Sequence, residues 1–190
     1  MELDILYFIQ SLRNAVLDQI MVMITMLGNA GWVWIVLSIV MIAVKKTRKC
    51  GLQMMLALIL MLVIGNIFLK QIFARERPCI IDSTVALLIP IPIGYSFPSG
   101  HSFSSAAASI TLFLYYKKAG ICAMVLAALI AFSRMYLFVH FPSDVIGGIL
   151  LGMLVARIAS KWMPSLEAAW LHSRKSKKEH NLLKKRADKQ

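Results

Sequence analysis

Apolar residues fill most of the chain in long runs, cut at intervals by short clusters of charge or by Pro and Gly. A helix that crosses hydrocarbon takes about 20 mostly apolar residues, and the runs predict five such helices. The first covers residues 31–44 and can start as early as residue 20, with Gly28 and Gly31 marking a bend; Lys45, Lys46, Arg48 and Lys49 end it. The second covers 52–69 and stops at Lys70. The third covers 99–116 and meets Lys117, Lys118 and Gly120, the fourth covers 121–139, and the fifth covers 142–162. Within the fifth, Gly148 and Gly152 make a GxxxG pair that lets another helix approach closely.

Two segments break the pattern. Residues 1–19 place Leu3, Leu6, Tyr7, Ile9, Leu12, Val16 and Leu17 at helical spacing among polar residues, which predicts an amphipathic helix at the membrane interface. Residues 20–27 continue apolar and can be drawn into the first crossing, so the N-terminal element is an interfacial helix or a sixth one. Residues 85–97 are apolar but interrupted by Pro90, Pro92 and Gly94, which predicts a re-entrant or surface loop rather than a helix. The fold class is therefore all-α, a polytopic membrane bundle in one domain over residues 1–165, followed by a basic tail over 166–190.

Composition agrees. Of the 190 residues 59% are hydrophobic and the mean hydropathy is +0.72, more apolar surface than a soluble domain of this size can bury, so the bilayer is the solvent. The net charge of +12 does not point to nucleic acid. The cations cluster beside apolar runs, as the positive-inside rule requires of cytoplasmic loops, and lack the interleaved aromatics that stack bases. Cys50, Cys79 and Cys122 show no CxxC spacing and read as incidental. Glu2, Asp4, Arg13 and Asp18 interrupt the first 19 residues, so no cleavable signal peptide is expected.

Topology follows from the charges. Lys45 to Lys49, Lys117 with Lys118, and the tail follow spans one, three and five, which puts them together on the cytoplasmic side of a bacterial cell membrane. The opposite, extracytoplasmic face then receives the end of span two, the start of span three, and the junction of spans four and five. Every chemically unusual residue lies at those places. Lys70 and Arg77 follow span two, Ser99-Gly100-His101 opens span three, and Ser133-Arg134, His140 and Asp144 surround the last junction.

Cations at membrane depth are costly and mark functional sites. Lys70, Arg77 and Arg134, with Arg75 in the same stretch, outnumber the nearby acids Glu76, Asp82 and Asp144, so an anionic ligand is expected. Ser99 to His101 begin a helix, where free N–H groups and the dipole favour phosphate, and guanidinium groups grip its oxygens in pairs. Two histidines at such a site suggest opposite duties. His140 has Asp144 four residues on, across a helix start, and suits a nucleophile steered by a carboxylate. His101 has no such partner in sequence and suits the acid that protonates the leaving oxygen.

These residues spell K-x6-R-P over 70–78, P-S-G-H over 98–101 and S-R-x5-H-x3-D over 133–144. The set resembles the three-part signature of the type 2 phosphatidic acid phosphatase (PAP2) superfamily, which shares its site with vanadium haloperoxidases. The resemblance covers residues 5–165 and implies a metal-independent phosphohistidine mechanism with no cofactor. It assigns His140 as nucleophile, Asp144 as its partner and His101 as acid, with Lys70, Arg77, Ser99, Gly100 and Arg134 on the phosphoryl oxygens. Arg75 lies outside the signature. Asn14 to Asp18 and Phe132-Ser133-Arg134 look most like bacitracin-resistance-type undecaprenyl-diphosphate phosphatases; similar enzymes act on phosphatidylglycerol phosphate, phosphatidate and lipid A phosphates.

Blander readings exist for single residues: Lys70 and Arg77 as interfacial anchors, Ser99 as a helix cap, His140 with Asp144 as a structural hydrogen bond. His172 and His180 fall in the charged tail and read as solvated. At the level of the whole chain the competitors are a vanadate-dependent peroxidase, which nothing in the sequence favours, and a lipid-phosphate carrier without turnover. The expected partners are the lipid phosphate substrate and membrane lipids.

Overall fold

The computed structural model describes the backbone of residues 1–187 and the side chains of residues 1–165, so the charges of the basic tail, with His172 and His180, lie outside the described side chains. All regular structure among the described residues is helical. α1 (Glu2–Ser11), α2 (Ala15–Leu27), a 3₁₀ turn (Asn29–Gly31) and α3 (Trp32–Ala43) come first. α4 (Arg48–Met61) runs on through a π-helical stretch (Leu62–Leu69) into α5 (Lys70–Phe73), and α6 (Pro78–Ile81) follows. α7 (Gly100–Tyr115), α8 (Lys117–Tyr136) and α9 (Pro142–Ala187) complete the bundle.

The amphipathic N-terminal segment is two helices rather than one. The side-chain carbonyl of Asn14 accepts a hydrogen bond from the Leu17 N–H at 3.0 Å, and this cap starts α2 where the 1–19 pattern had run on. α2 and α3 together meet the length and hydropathy of a span, bent by 41° at the intervening turn. Gly31, at φ 67°, supplies the left-handed backbone on which α3 starts. The apolar run 20–27 therefore lies in α2 and is continuous with α3 across this bend.

Among the described residues three helices are long and apolar enough to span by themselves, Arg48–Ile81, Lys117–Tyr136 and Pro142–Ser165, with a fourth span if the bent pair counts as one. α7, the expected third span, has 16 residues, about 24 Å at the α-helical rise. It lies against α8, α9 and α4, and Ser102 to Ser109 are all buried. Its Ser and Ala side chains face protein rather than lipid, so it is not held to the length of a lipid-facing helix. The GxxxG of α9 is what lies against it: a Cβ on Gly148 would stand 2.7 Å from the Ser99 carbonyl oxygen, and one on Gly152 2.6 Å from Ala106 Cβ.

Two ends of the bundle result. At one, the Tyr116 hydroxyl donates to the Lys46 carbonyl at 3.3 Å, so the basic turn 45–49 and the start of α8 adjoin. At the other, α8 stops three residues before the expected limit, at Tyr136, and a tight turn with Phe138 at φ 58° carries His140 into α9. The irregular segment 82–99 covers this second end, with Pro90 to Gly94 outside any helix as their composition demands.

Candidate active site

Three cations reach one cavity of about 400 Å³ at that second end. Lys70 arrives at the close of the π-helical stretch, and Asn66, one residue type the motifs did not flag, lines the cavity with it. π-helical segments recur at functional sites because they re-aim side chains. Arg77 sits on extended backbone before Pro78, as residues before proline do. Its Nε donates to the Gly94 carbonyl at 2.9 Å, Nη1 to the Val139 carbonyl at 2.9 Å, and Nη2 to the Tyr95 carbonyl at 3.2 Å. Arg134, 2% exposed in the last turn of α8, donates from Nη1 to the Thr25 hydroxyl at 2.6 Å. Its buried Nε has no hydrogen-bond partner among the described residues.

Gly100 and His101 also line the cavity. Ser99 does not: it is fully buried beneath, and its hydroxyl accepts from the Ser102 hydroxyl at 3.0 Å while capping α7. His101 does have a partner, found in space instead of sequence. Its Nε2 lies 3.0 Å from Asn29 Oδ1, and because that oxygen only accepts, Nε2 bears a proton and Nδ1 is the nitrogen left for other partners. The absent side chain of Gly28 makes the approach possible, since a Cβ there would lie 2.4 Å from His101 Cδ2.

His140 is 2% exposed, with Nε2 3.1 Å from Nη1 of Arg77. A guanidinium only donates, so Nε2 holds a lone pair and Nδ1 the proton. Burial, and after it the charges of Arg134 and Arg77, pull the imidazole down to about 3 against the pull of Asp144; in the short turn between two spans it is therefore neutral at pH 7. Asp144 Oδ2 stands 3.6 Å from His140 Nδ1, longer than a hydrogen bond. Between them lies Ser96, whose hydroxyl donates to Asp144 Oδ2 at 2.5 Å and is 3.4 Å from His140 Nδ1.

Among the described residues no carboxylate lines the cavity. Asp82 accepts from Tyr7 and Thr84 at the surface, and Asp144 lies behind His140. Among the described residues no group of three or more His, Cys, Asp or Glu is placed to hold a metal ion. Away from the cations the cavity wall is apolar, with Ile35 of α3 and Met55, Leu58 and Ile59 of α4 along one flank and Pro92 and Ile93 at the loop. A site of this kind takes an anionic group on an apolar body.

Arg75, set aside at the sequence level, also reaches this region: its Nη1 donates to Asp144 Oδ1 at 2.7 Å. Sequence reasoning missed Thr25, Asn29, Asn66 and Ser96 altogether. The glycine-marked bend at 28–31 was the one available signal for Asn29.

A helical membrane bundle that aims buried cations and a neutral, carboxylate-backed imidazole into one half-apolar cavity has the build of a membrane phosphatase. Residues 51–167 match the PAP2 superfamily, and the chain belongs to it. It is 34% identical over 143 residues to an undecaprenyl-diphosphatase of Sulfolobus acidocaldarius, covering 75% of this chain and 68% of that protein. It is 32% identical over 143 residues to the undecaprenyl-diphosphatase BcrC of Bacillus subtilis, covering 75% and 73%. The crystal structure of a transmembrane PAP2-type phosphatidylglycerolphosphate phosphatase from Bacillus subtilis superposes with a TM-score of 0.70 at 29% identity, covering 85% of this chain and 84% of that one.

Proposed function

We propose that this phosphatase hydrolyses undecaprenyl diphosphate to undecaprenyl phosphate at the extracytoplasmic face of the cell membrane, without a metal, through a phosphohistidine on His140. The observation that carries this reading is the lone pair of His140 Nε2 facing a cavity whose charged groups are cations and whose flank is apolar. Residues 1–165 are its catalytic body, and 166–190 a cytoplasmic tail.

In the empty site Nη1 of Arg77 bonds the nitrogen that would attack. Phosphoryl oxygens compete for that proton and free Nε2. His140 Nε2 then forms a bond to the terminal phosphorus while the bond from phosphorus to the bridging oxygen breaks, and His101, doubly protonated once the anionic headgroup is bound, gives that oxygen the proton on Nδ1 and keeps the one on Nε2. Lys70, Arg77, Arg134 and the N–H groups at the start of α7 neutralise charge growing on the equatorial oxygens, more in the transition state than before it. Water next attacks the phosphohistidine, His101 takes its proton, and inorganic phosphate leaves. Ser99 supports the start of α7 from beneath in this scheme.

The undecaprenyl reading draws on the two undecaprenyl-diphosphatases. The Bacillus subtilis structure favours a second, phosphatidylglycerol phosphate, since the same cationic end suits either headgroup. The test is turnover of purified protein on undecaprenyl diphosphate, phosphatidylglycerol phosphate and phosphatidate, with His140→Ala beside wild type and acid-quenched labelled phosphate mapped on the chain. Undecaprenyl diphosphate is expected to lead in kcat/KM by about tenfold or more, with label on His140 and none in the variant. Label on another residue sinks the mechanism; preference for another lipid sinks the substrate.

A further inference from the structure

Asp144 is gripped by three donors at short range, and His140 is not one of them. Oδ1 accepts from Nη1 of Arg75 at 2.7 Å; Oδ2 accepts from the Ser96 hydroxyl at 2.5 Å and the Phe141 N–H at 2.8 Å. Arg75 is in turn held from its far side. Its Nη2 donates to Glu2 Oε2 at 2.6 Å, Nη1 also reaches the Ser143 hydroxyl at 2.6 Å, and the guanidinium lies 4.1 Å from the centroid of the Phe141 ring. The other oxygen of Glu2 accepts from the Ser143 N–H at 3.0 Å. One guanidinium is thus shared by two carboxylates, one of them fully buried behind the nucleophile and the other at the start of α1.

We propose that Glu2, Arg75 and Ser96 form a positioning chain that holds Asp144 behind His140 and shares out its negative charge. This rests on His140 being the nucleophile. Three donors fix a carboxylate far better than one imidazole does. The Ser96 hydroxyl, within reach of both partners, carries the link: Nδ1–H of His140 gives its proton to Oγ as a hydrogen bond, and Oγ–H gives its own to Asp144. When His140 takes the phosphoryl group it becomes cationic, and this link stabilises the charge without Asp144 moving.

The signs are fixed by electrostatics. Removing Arg75 leaves Asp144 fully charged and free to turn to Nδ1, so His140 holds a proton to higher pH. Removing the charge of Glu2 leaves Arg75 wholly to Asp144, so His140 loses its proton at lower pH. The other charged groups around His140 are Arg77 and Arg134 with Lys70 and His101 in the cavity, and none of them is altered.

The experiment compares the full-length enzyme with Arg75→Met, Arg75→Lys, Glu2→Gln and Ser96→Ala, on undecaprenyl diphosphate or, should it alone turn over, phosphatidylglycerol phosphate. Expected are falls in kcat on the order of tenfold for Arg75→Met and Ser96→Ala with KM nearly unchanged. The acid limb of kcat/KM should move up by about half a unit in Arg75→Met and down in Glu2→Gln, with Arg75→Lys close to wild type. The same substrate throughout cancels its own ionisation. Wild-type limbs in both Arg75→Met and Glu2→Gln would overturn the proposal. Should Arg75→Met fail to fold, Glu2→Gln decides alone: a lowered limb supports the chain and an unmoved one refutes it. A His140→Ala enzyme that still turns over would instead strike the underlying reading, whatever the limbs do.

Discussion

Arg77 concentrates more of the site in one side chain than any other described residue. Three carbonyls, of Gly94, Tyr95 and Val139, orient a guanidinium that still presents a proton to His140 Nε2. A lysine keeps the charge but brings three rotating donors in place of a planar fork. Arg77→Lys should therefore lower kcat/KM by about 10²- to 10³-fold, with kcat falling more than KM rises, and steady-state kinetics on protein of wild-type melting temperature checks it. Lys70, Arg77, His101, Arg134, His140 and Asp144 were legible in the sequence because charge and imidazole are expensive among apolar runs and need a reason to be there. Thr25, Asn29, Asn66 and Ser96 were not, since a neutral polar residue in a helix or loop has many uses. The pairing of Glu2 with Arg75 spans 73 positions, and no local pattern announces it.

At the scale of elements, the close meeting of α7 and α9 sets where the first turn of α7 lies. Gly152 faces not only Ala106 but the backbone of α7, with the Phe103 carbonyl oxygen 2.7 Å and the Ala107 nitrogen 2.9 Å from where its Cβ would be. Backbone cannot rotate aside as a flexible side chain can. Gly152→Val should force the helices apart at a cost of about 1–3 kcal/mol or more, read as a lowered melting temperature in detergent; an unchanged value would mean the helices do not pack this closely. The GxxxG was visible in the sequence, but its partner was not, because many small residues of α7 could have accepted it. The cap at Asn14 and the π-helical stretch were likewise invisible to period counting: one ends a helix inside a continuous amphipathic pattern, the other changes the period itself.

Over the whole molecule the basic turns gather at one end and the cavity at the other. That arrangement places the exposed Glu76, beside the cavity, and the exposed Lys118 at opposite ends of the bundle, which the proposed topology assigns to opposite faces of the membrane. In a Cys122→Ser background, which removes the exposed native thiol, an impermeant maleimide applied to intact cells should label Glu76→Cys and leave Lys118→Cys untouched until the cells are opened. The reverse labelling would put the cavity in the cytoplasm, away from the proposed outer-leaflet substrate.

The all-helical membrane class and the motif residues were settled by the sequence, because hydrocarbon admits few alternatives to an apolar helix and charge stands out against it. Helical parity also predicted that residues 70, 101, 134 and 140 share an end. What only the tertiary structure decided is which neutral groups complete them: Asn29 on His101, Thr25 on Arg134, Ser96 between His140 and Asp144. Those contacts join segments up to 109 positions apart. Their geometry is fixed by the packing of helices, which hydrophobic pattern sets in outline but not to within a hydrogen bond's length.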